Sequence, residues 1–121
     1  MLFINLLIIS GGKKMAFYEL RQYKVWPGKM DEWVSFMEKE IIPFQISKGM
    51  VITGSFRGEE DDSTYIWLRR FEDEKSREKL YADVYESDHW KNEIAHRIPE
   101  LLDREGMIVT RIVPTPKSTS Q

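Results

Sequence analysis

Apolar and polar positions alternate with a period of two in four stretches of the chain and with a period near 3.6 in two longer ones. The period of two predicts strands at 17–25, 50–57, 64–71 and 107–113. The longer period predicts a helix at 29–42 and a broken helical region at 72–102. The order βαββαβ is that of the ferredoxin-like fold, an α+β class in which a four-stranded antiparallel sheet carries its helices on one face.

The first predicted helix follows a Pro27-Gly28 turn and contains a second proline. Pro43 has no backbone N–H, so we expect the helix to end or kink there. Phe44 and Ile46 are expected to continue its apolar side for one turn, and Gly49 suits the final stop.

The second helical region is interrupted twice. Ser87 and Asp88 are typical helix N-caps and separate two apolar stripes. Pro99 lies inside the second stripe and predicts a bend near 95–98. We expect Gly106 to end the helix and the last strand to begin at Met107.

Composition excludes several classes of site. The chain has 121 residues, 41% hydrophobic and 31% charged, with a net charge of −2, which is typical of a folded globular domain. Its charges are interspersed, so we expect no nucleic-acid partner. It has no cysteine, which excludes disulfides and thiolate nucleophiles and fits a cytoplasmic location. No His/Asp/Glu cluster has metal-ligand spacing, so we expect no metal and no cofactor.

Both ends of the chain differ from the domain between them. Residues 1–15 begin with a short apolar run, too short to span a bilayer, followed by Ser10-Gly11-Gly12. We interpret this stretch as a disordered or mis-assigned extension with translation starting at Met15, the alternatives being a weak membrane anchor or a floppy tail. The domain is then 16–115, and 116–121 is a polar tail that we expect to be frayed. We expect no membrane partner.

The predicted strands carry bulky apolar residues on both faces. Tyr65 and Trp67 alternate with Ile66 and Leu68, whereas a sheet solvated on one side shows polar alternation. Helices of one chain cover one face. We therefore expect a second copy to cover the other, giving a homodimeric α/β barrel.

Four short stretches resemble those of a known family. They are Tyr18-Glu19-Leu20-Arg21-Gln22-Tyr23, Pro27-Gly28-Lys29, Ile66-Trp67-Leu68-Arg69-Arg70-Phe71 and Ser87-Asp88-His89-Trp90. In this order they are similar to the signature stretches of the NIPSNAP family, over about 16–115. The resemblance implies a ferredoxin-like dimeric α/β barrel. It implies no reaction, because small bacterial members mostly have none assigned, although the wider superfamily includes monooxygenases and mutarotases.

One set of candidate site residues comes from the phase of the strands. Glu19, Arg21 and Tyr23 share one face of the first strand; the corresponding sets are Tyr65, Trp67 and Arg69 on the third, and Val109 and Arg111 on the last. If these faces coincide, they line a polar-aromatic cavity for a small, anionic or aromatic organic molecule. The alternative is an ion pair, Glu19–Arg21 or Glu19–Arg111, that plugs the barrel interior beside an ordinary core tryptophan.

His89 and Trp90 form the other candidate, near the mouth of the cleft between helices and sheet. A histidine there could be a general base or a haem ligand. Haem-degrading relatives pair an Asn-Trp element with a histidine, but Trp90, Asn92 and His96 lack that spacing. A helix-start histidine on a solvated face is the alternative, and His96 is expected to face water.

Three functions remain open from the sequence. The first is a homodimeric protein that binds a small organic molecule through Arg21, Trp67, Arg69, Trp90 and Arg111. The second is a cofactor-independent monooxygenase or isomerase, with Glu19, Tyr23 or His89 as acid or base. The third is a non-catalytic assembly module.

Overall fold

A four-stranded antiparallel sheet forms one layer of the structure, a computed structural model that describes residues 15–121. Apart from Met15, the predicted extension lies outside the described residues. The strands are β1 (Phe17–Val25), β2 (Val51–Arg57), β3 (Thr64–Phe71) and β4 (Leu102–Ile112). Their order, β2-β3-β1-β4, confirms the predicted ferredoxin-like arrangement, and the sheet is open.

Two helical segments cover one face of this sheet. The first comprises α1 (Met30–Phe36), a π-turn (Met37–Ile41) and α2 (Ile42–Ser47). The second comprises α3 (Glu74–Tyr85), a π-turn (Trp90–Ile94), a 3₁₀ turn (Ala95–Arg97) and α4 (Ile98–Leu101). Their apolar side chains pack with Tyr23, Val25, Tyr65, Trp67 and Phe71 of the sheet. The predicted α+β class is confirmed.

The first helical segment does not end at Pro43. Instead, the turn before the proline widens: the N–H of Ile42 bonds the carbonyl of Met37, five residues back. Pro43 then occupies the first turn of α2, where a missing N–H costs little. A π-turn holds about one residue more than an α-turn, so later side chains rotate back by about one position. Gln45 is therefore fully buried, whereas Ile46, expected on the apolar side, is 54% exposed.

Gly49 ends this segment as predicted. Its φ is +104°, and its N–H bonds the carbonyl of Ile46 at 2.9 Å. Ser87 likewise acts as the expected cap, since its Oγ accepts from the N–H of Trp90 at 3.1 Å. The predicted bend at 95–98 is the 3₁₀ turn.

The start of the last strand was placed wrongly. β4 begins at Leu102, which pairs with Val25, and Gly106 lies inside the strand rather than at a helix end. The ladder shifts register between Gln22 and Lys24. A Cβ at Gly106 would lie 2.8 Å from Cβ of Lys24, so this irregular pairing requires a glycine.

The face of the sheet away from the helices is partly covered by the end of the chain. Arg70 Nε donates to the carbonyl of Gln121 at 2.8 Å, and Tyr18 is buried. The tail that the sequence predicts to be frayed, 116–121, lies near this face: Ser118 and Ser120 help to line a space against Tyr18 and Leu68. Large apolar side chains remain exposed elsewhere on this face, at Phe56 and Ile108.

No helix within residues 15–121 is both long enough and apolar enough to cross a membrane.

Candidate functional site

The register of the sheet brings the predicted site residues onto one face. Glu19 pairs with Arg69 and Arg21 with Trp67 across β1 and β3, and Glu19 also pairs with Arg111 of β4. This face is the one that the helices cover. Glu19, Trp67 and Arg69 are buried between the sheet and the helices of one chain. An ion pair that plugs the interior of a barrel would instead lie between two sheets.

Glu19 is the centre of a buried ionic cluster. It is 2% exposed, and its Oε1 accepts from Arg69 Nη2 at 3.0 Å and from the Tyr81 hydroxyl at 2.5 Å. Its Oε2 accepts from Arg77 Nε at 2.6 Å, and Arg21 Nη1 lies 3.7 Å from Oε1. Burial raises the pKa of Glu19. The hydrogen bonds from Tyr81 and Arg77 and the charge of Arg69 outweigh this effect, so the pKa lies below its ordinary value.

Arg69 lies within this cluster and is enclosed by its own chain. It is completely buried, and its Nη1 donates to Gln45 Oε1 at 2.8 Å and to the Tyr85 hydroxyl at 2.7 Å. Four aromatic rings surround its guanidinium, with Trp67 at 4.8 Å and Tyr81 at 5.1 Å. The cluster separates two apolar cores, so it orders the middle of the sheet face.

A cavity of about 180 Å³ lies beside this cluster, between the sheet and both π-turns. Its lining is aromatic and aliphatic apart from two arginines, and includes no carboxylate or imidazole group. The lining residues are Arg21, Tyr23, Trp33, Met37, Ile41, Trp67, Tyr85, Trp90, Ile98, Leu102, Arg104 and Met107. Concave apolar sites with a few polar groups are the usual form of small-molecule sites.

Two buried donors in this lining have no acceptor. The indole nitrogens of Trp33 and Trp67 are inaccessible to solvent and make no hydrogen bond with any residue in the described part of the chain. Most buried polar groups are paired, so two orphaned N–H groups on the wall of one cavity are unusual. Neither nitrogen faces the empty space, so a ligand would reach these donors only if the two side chains moved.

Arg21 reaches the cavity from β1, and none of its hydrogen-bond partners carries a negative charge. Its Nε donates to the Tyr23 hydroxyl at 2.7 Å, and its Nη1 lies 3.3 Å from the Tyr81 hydroxyl. Its Nη2 faces the thioether sulfur of Met107 at 3.6 Å, and a thioether is a weak acceptor.

Tyr81 and Tyr65 remain protonated near neutral pH. Burial raises the pKa of Tyr81 to about 12 despite the positive charge of Arg69. Burial likewise raises the pKa of Tyr65 to about 12, although its hydroxyl lies 2.5 Å from Ser55 Oγ. Neither is suited to accept a proton from a ligand.

Four of the predicted residues do not line the cavity: Glu19 and Arg69 lie in the buried cluster, and the other two are at the surface. His89 is exposed, and its ring contacts that of Phe44 at 4.6 Å on the outer surface, because Ser87 rather than His89 begins the turn. Arg111 is also exposed and pairs with Glu74 at 2.7 Å instead of with Glu19. Trp90, by contrast, lines the cavity, and His96 is exposed as expected.

Sequence reasoning missed several residues that complete the site: Trp33, Gln45, Arg77, Arg104 and Met107. For one of them a signal was present. Arg77 lies four residues before Tyr81, which lies four before Tyr85, so the three form a polar-aromatic stripe on one side of α3.

Metal binding finds no support in the described residues. Within 15–121, no three side chains of His, Cys, Asp or Glu lie close enough together to hold an ion.

Solved structures show the same fold. A NIPSNAP family protein of unknown function from Agrobacterium tumefaciens has a TM-score of 0.79 and 20% identity, over 88% of this chain and 95% of that one. A second family member from A. tumefaciens has a TM-score of 0.75 and 22% identity, over 87% of this chain and 90% of that one. An uncharacterized NIPSNAP-like domain protein from Burkholderia xenovorans has a TM-score of 0.76 and 23% identity, over 85% of this chain and 88% of that one. At these identities the likeness concerns the fold alone.

A comparison with curated proteins gave no match. The family model described as NIPSNAP matches residues 18–118 and so spans all four strands and both helical segments. The chain belongs to the NIPSNAP family.

Proposed function

We propose that this protein binds a small organic molecule in the cavity between its sheet and its two π-turns. The observation that carries the proposal is Arg21 in the wall of that cavity, whose Nη2 meets only the weakly accepting sulfur of Met107 at 3.6 Å. An acceptor on a ligand would satisfy this charged donor, which is otherwise costly to bury. The rings of Trp33 and Trp67 add apolar walls.

The lining favours binding over acid–base catalysis. It supplies donors and positive charge, but no carboxylate or imidazole that could take a proton near neutral pH. Glu19, a candidate base, is held by Arg69, Arg77 and Tyr81. His89 points to the outer surface. A monooxygenase or isomerase reaction would have to rely on chemistry carried by the substrate itself.

Tryptophan fluorescence offers a direct test, since three of the four tryptophans line the cavity. The fourth, Trp26, is 40% exposed and bonds the carbonyl of Pro99 outside it. In a Trp26→Phe variant the whole signal therefore comes from the cavity. We expect saturable fluorescence changes with small aromatic compounds, neutral or charged, and equal dissociation constants in wild type and W26F. The absence of a saturable response across such a panel would refute the proposal.

We also propose that the helix-free face of the sheet pairs with a second copy of the chain. Val51, Phe56, Ile108 and Ile112 are all large apolar residues at least 37% exposed, and all four lie on this face. Exposed apolar patches of this kind mark interaction sites. Two such faces packed together would form the dimeric barrel.

Sedimentation at micromolar concentration tests this dimer. Phe56→Glu places a charge on the proposed interface and should shift the protein towards monomer. Ile46→Glu is the matched control, because Ile46 is similarly exposed but belongs to α2 on the helical side. Equal behaviour of the two variants, or a wild type that is monomeric throughout, would contradict a dimer through this face.

A further inference from the structure

The charges of the ionic cluster beside the cavity do not balance. Four guanidinium groups, those of Arg21, Arg69, Arg77 and Arg111, share two carboxylates, Glu19 and Glu74. Glu74 pairs with the two outer arginines, and Glu19 is bonded directly to Arg69 and Arg77. Arg21 has no carboxylate oxygen within hydrogen-bonding distance in the described chain; the nearest is 3.7 Å away. Its positive charge is therefore directed to the cavity, where dielectric screening is weaker than in water.

Arg21 and Arg69 differ in the partners of their terminal Nη groups, although Arg69 Nε has no hydrogen-bond partner in the described part of the chain. Arg69 donates to a carboxylate, an amide oxygen and two tyrosine hydroxyls, all within 3.0 Å. At Arg21 the Nη2 group meets only the sulfur of Met107, at 3.6 Å. A guanidinium N–H is matched best by an anionic oxygen, with which it forms short and strong bonds. Displacing the thioether by such an oxygen would improve the hydrogen bonding of Arg21.

A second arginine lies at the open side of the cavity. Arg104 of β4 lines it, is exposed, and forms no ion pair with residues 15–121. With two arginines and no acid in its lining, the cavity attracts anions and repels cations.

The volume and walls limit the rest of the ligand. About 180 Å³ slightly exceeds an engineered apolar cavity of about 150 Å³ that holds benzene. Aromatic rings and aliphatic side chains form most of the wall. The space suits one ring carrying one small acid group.

We infer that the ligand of this cavity is an organic monoanion built on a single ring, with its acid oxygen on Arg21 Nη2 and its ring against the tryptophans. This inference rests on the proposed binding function and specifies its chemical class. Arg21 is the residue that determines specificity for charge, and Arg104 assists at the entrance.

Benzoate, benzamide and benzamidine provide the test, because they have nearly the same shape and carry negative, zero and positive charge at neutral pH. Titrated into W26F, benzoate should bind at least about tenfold more tightly than benzamide, and benzamidine most weakly. In Arg21→Met the preference for benzoate over benzamide should disappear. Arg57→Met, which removes an arginine paired with Asp31 and Asp62 away from the cavity, should retain it.

The outcomes separate the two proposals. If benzamide binds W26F as tightly as benzoate, the anion inference is overturned while binding in the cavity stands. If none of the three binds, and no other small aromatic compound does, the binding function itself fails. The difference in affinity between benzoate and benzamide in W26F tests the anion inference even if the Arg21→Met variant does not fold. Arg21→Lys supplies the further check, since it retains the charge and should keep part of the preference.

Discussion

Replacing Glu19 with glutamine tests whether one carboxylate holds the three arginines of the cluster together. The change is isosteric and leaves Oε1 free to accept from Arg69 and Tyr81. It removes the charge, however, and sets an amide NH₂ against the Nε–H of Arg77, so that two donors face each other at the present 2.6 Å contact. The buried guanidinium of Arg69 then lacks its counter-charge.

The size of the effect follows from these contacts. Breaking a buried ion pair by removing one partner costs about 3–5 kcal/mol, since the other charge stays buried. Glutamine preserves two of the three acceptor contacts in weakened form, and each hydrogen bond to a charged group is worth about 1.5–3 kcal/mol. We therefore expect E19Q to lower the free energy of unfolding by about 3 kcal/mol at neutral pH.

Urea denaturation with linear extrapolation measures this free energy. Glu40→Gln is the matched control: its carboxylate binds Arg97 Nη1 through both oxygens at 2.9 Å, but both side chains are about 40% exposed. A pair of that kind contributes about 0–1 kcal/mol. A loss below about 1 kcal/mol in E19Q would refute the view that Glu19 organises the cluster.

The pH dependence supplies an independent check. The native pKa of Glu19 lies below the ordinary value of 4.5, so its charge stabilises the folded state fully above that value. This stabilisation is lost as the pH falls through the native pKa. The gap between wild type and E19Q should therefore be constant from neutral pH to about pH 5 and narrow at lower pH. A gap that is independent of pH down to acid unfolding would count against an ionic origin.

The remaining predictions concern the first helical segment. Gly49→Ala forces a Cβ onto a φ of +104° and places it 3.2 Å from Leu80 Cδ2, so we expect a loss of about 1–2 kcal/mol in denaturation. Gly28→Ala is the control, because Gly28 also has a positive φ but a Cβ there has no atom within 4 Å. An equal loss of stability in both variants would show that the contact with Leu80 contributes nothing. Gln45→Leu removes an acceptor from buried Arg69 and should cost about 1–3 kcal/mol; an unchanged melting temperature would show that Tyr85 suffices.

The sheet could be predicted from the sequence because burial on one face imposes a strict alternation. β1 and β3 agree closely with the predicted spans, and both carry large residues at every second position. The phase between the strands could not be predicted, since a slip of one residue exchanges the faces. Only the observed pairing of Glu19 with Arg69 shows that the candidate residues share a surface.

The roles within the site depended on contacts between distant segments. Arg69 resembles a ligand-binding arginine in sequence, but Gln45 and Tyr85, from two other segments, enclose it. The start of β4 was missed because residues 102–106 are mostly polar and end in a glycine, a composition more typical of a loop than of a strand. In the structure an irregular ladder accommodates them.

The π-turn before Pro43 has a consequence for comparing members of this family. A relative lacking one residue between Met37 and Ile41 would close an ordinary α-turn there and swing the counterpart of Gln45 away from the buried guanidinium. An apolar side chain would occupy that position, and the counterpart of Arg69 would need another hydrogen-bond acceptor. Aligning such sequences therefore requires a gap in the middle of a helix, where alignments seldom place one. Without that gap, the residues after the turn would be aligned one position out of register, and a glutamine equivalent to Gln45 would be read as a substitution.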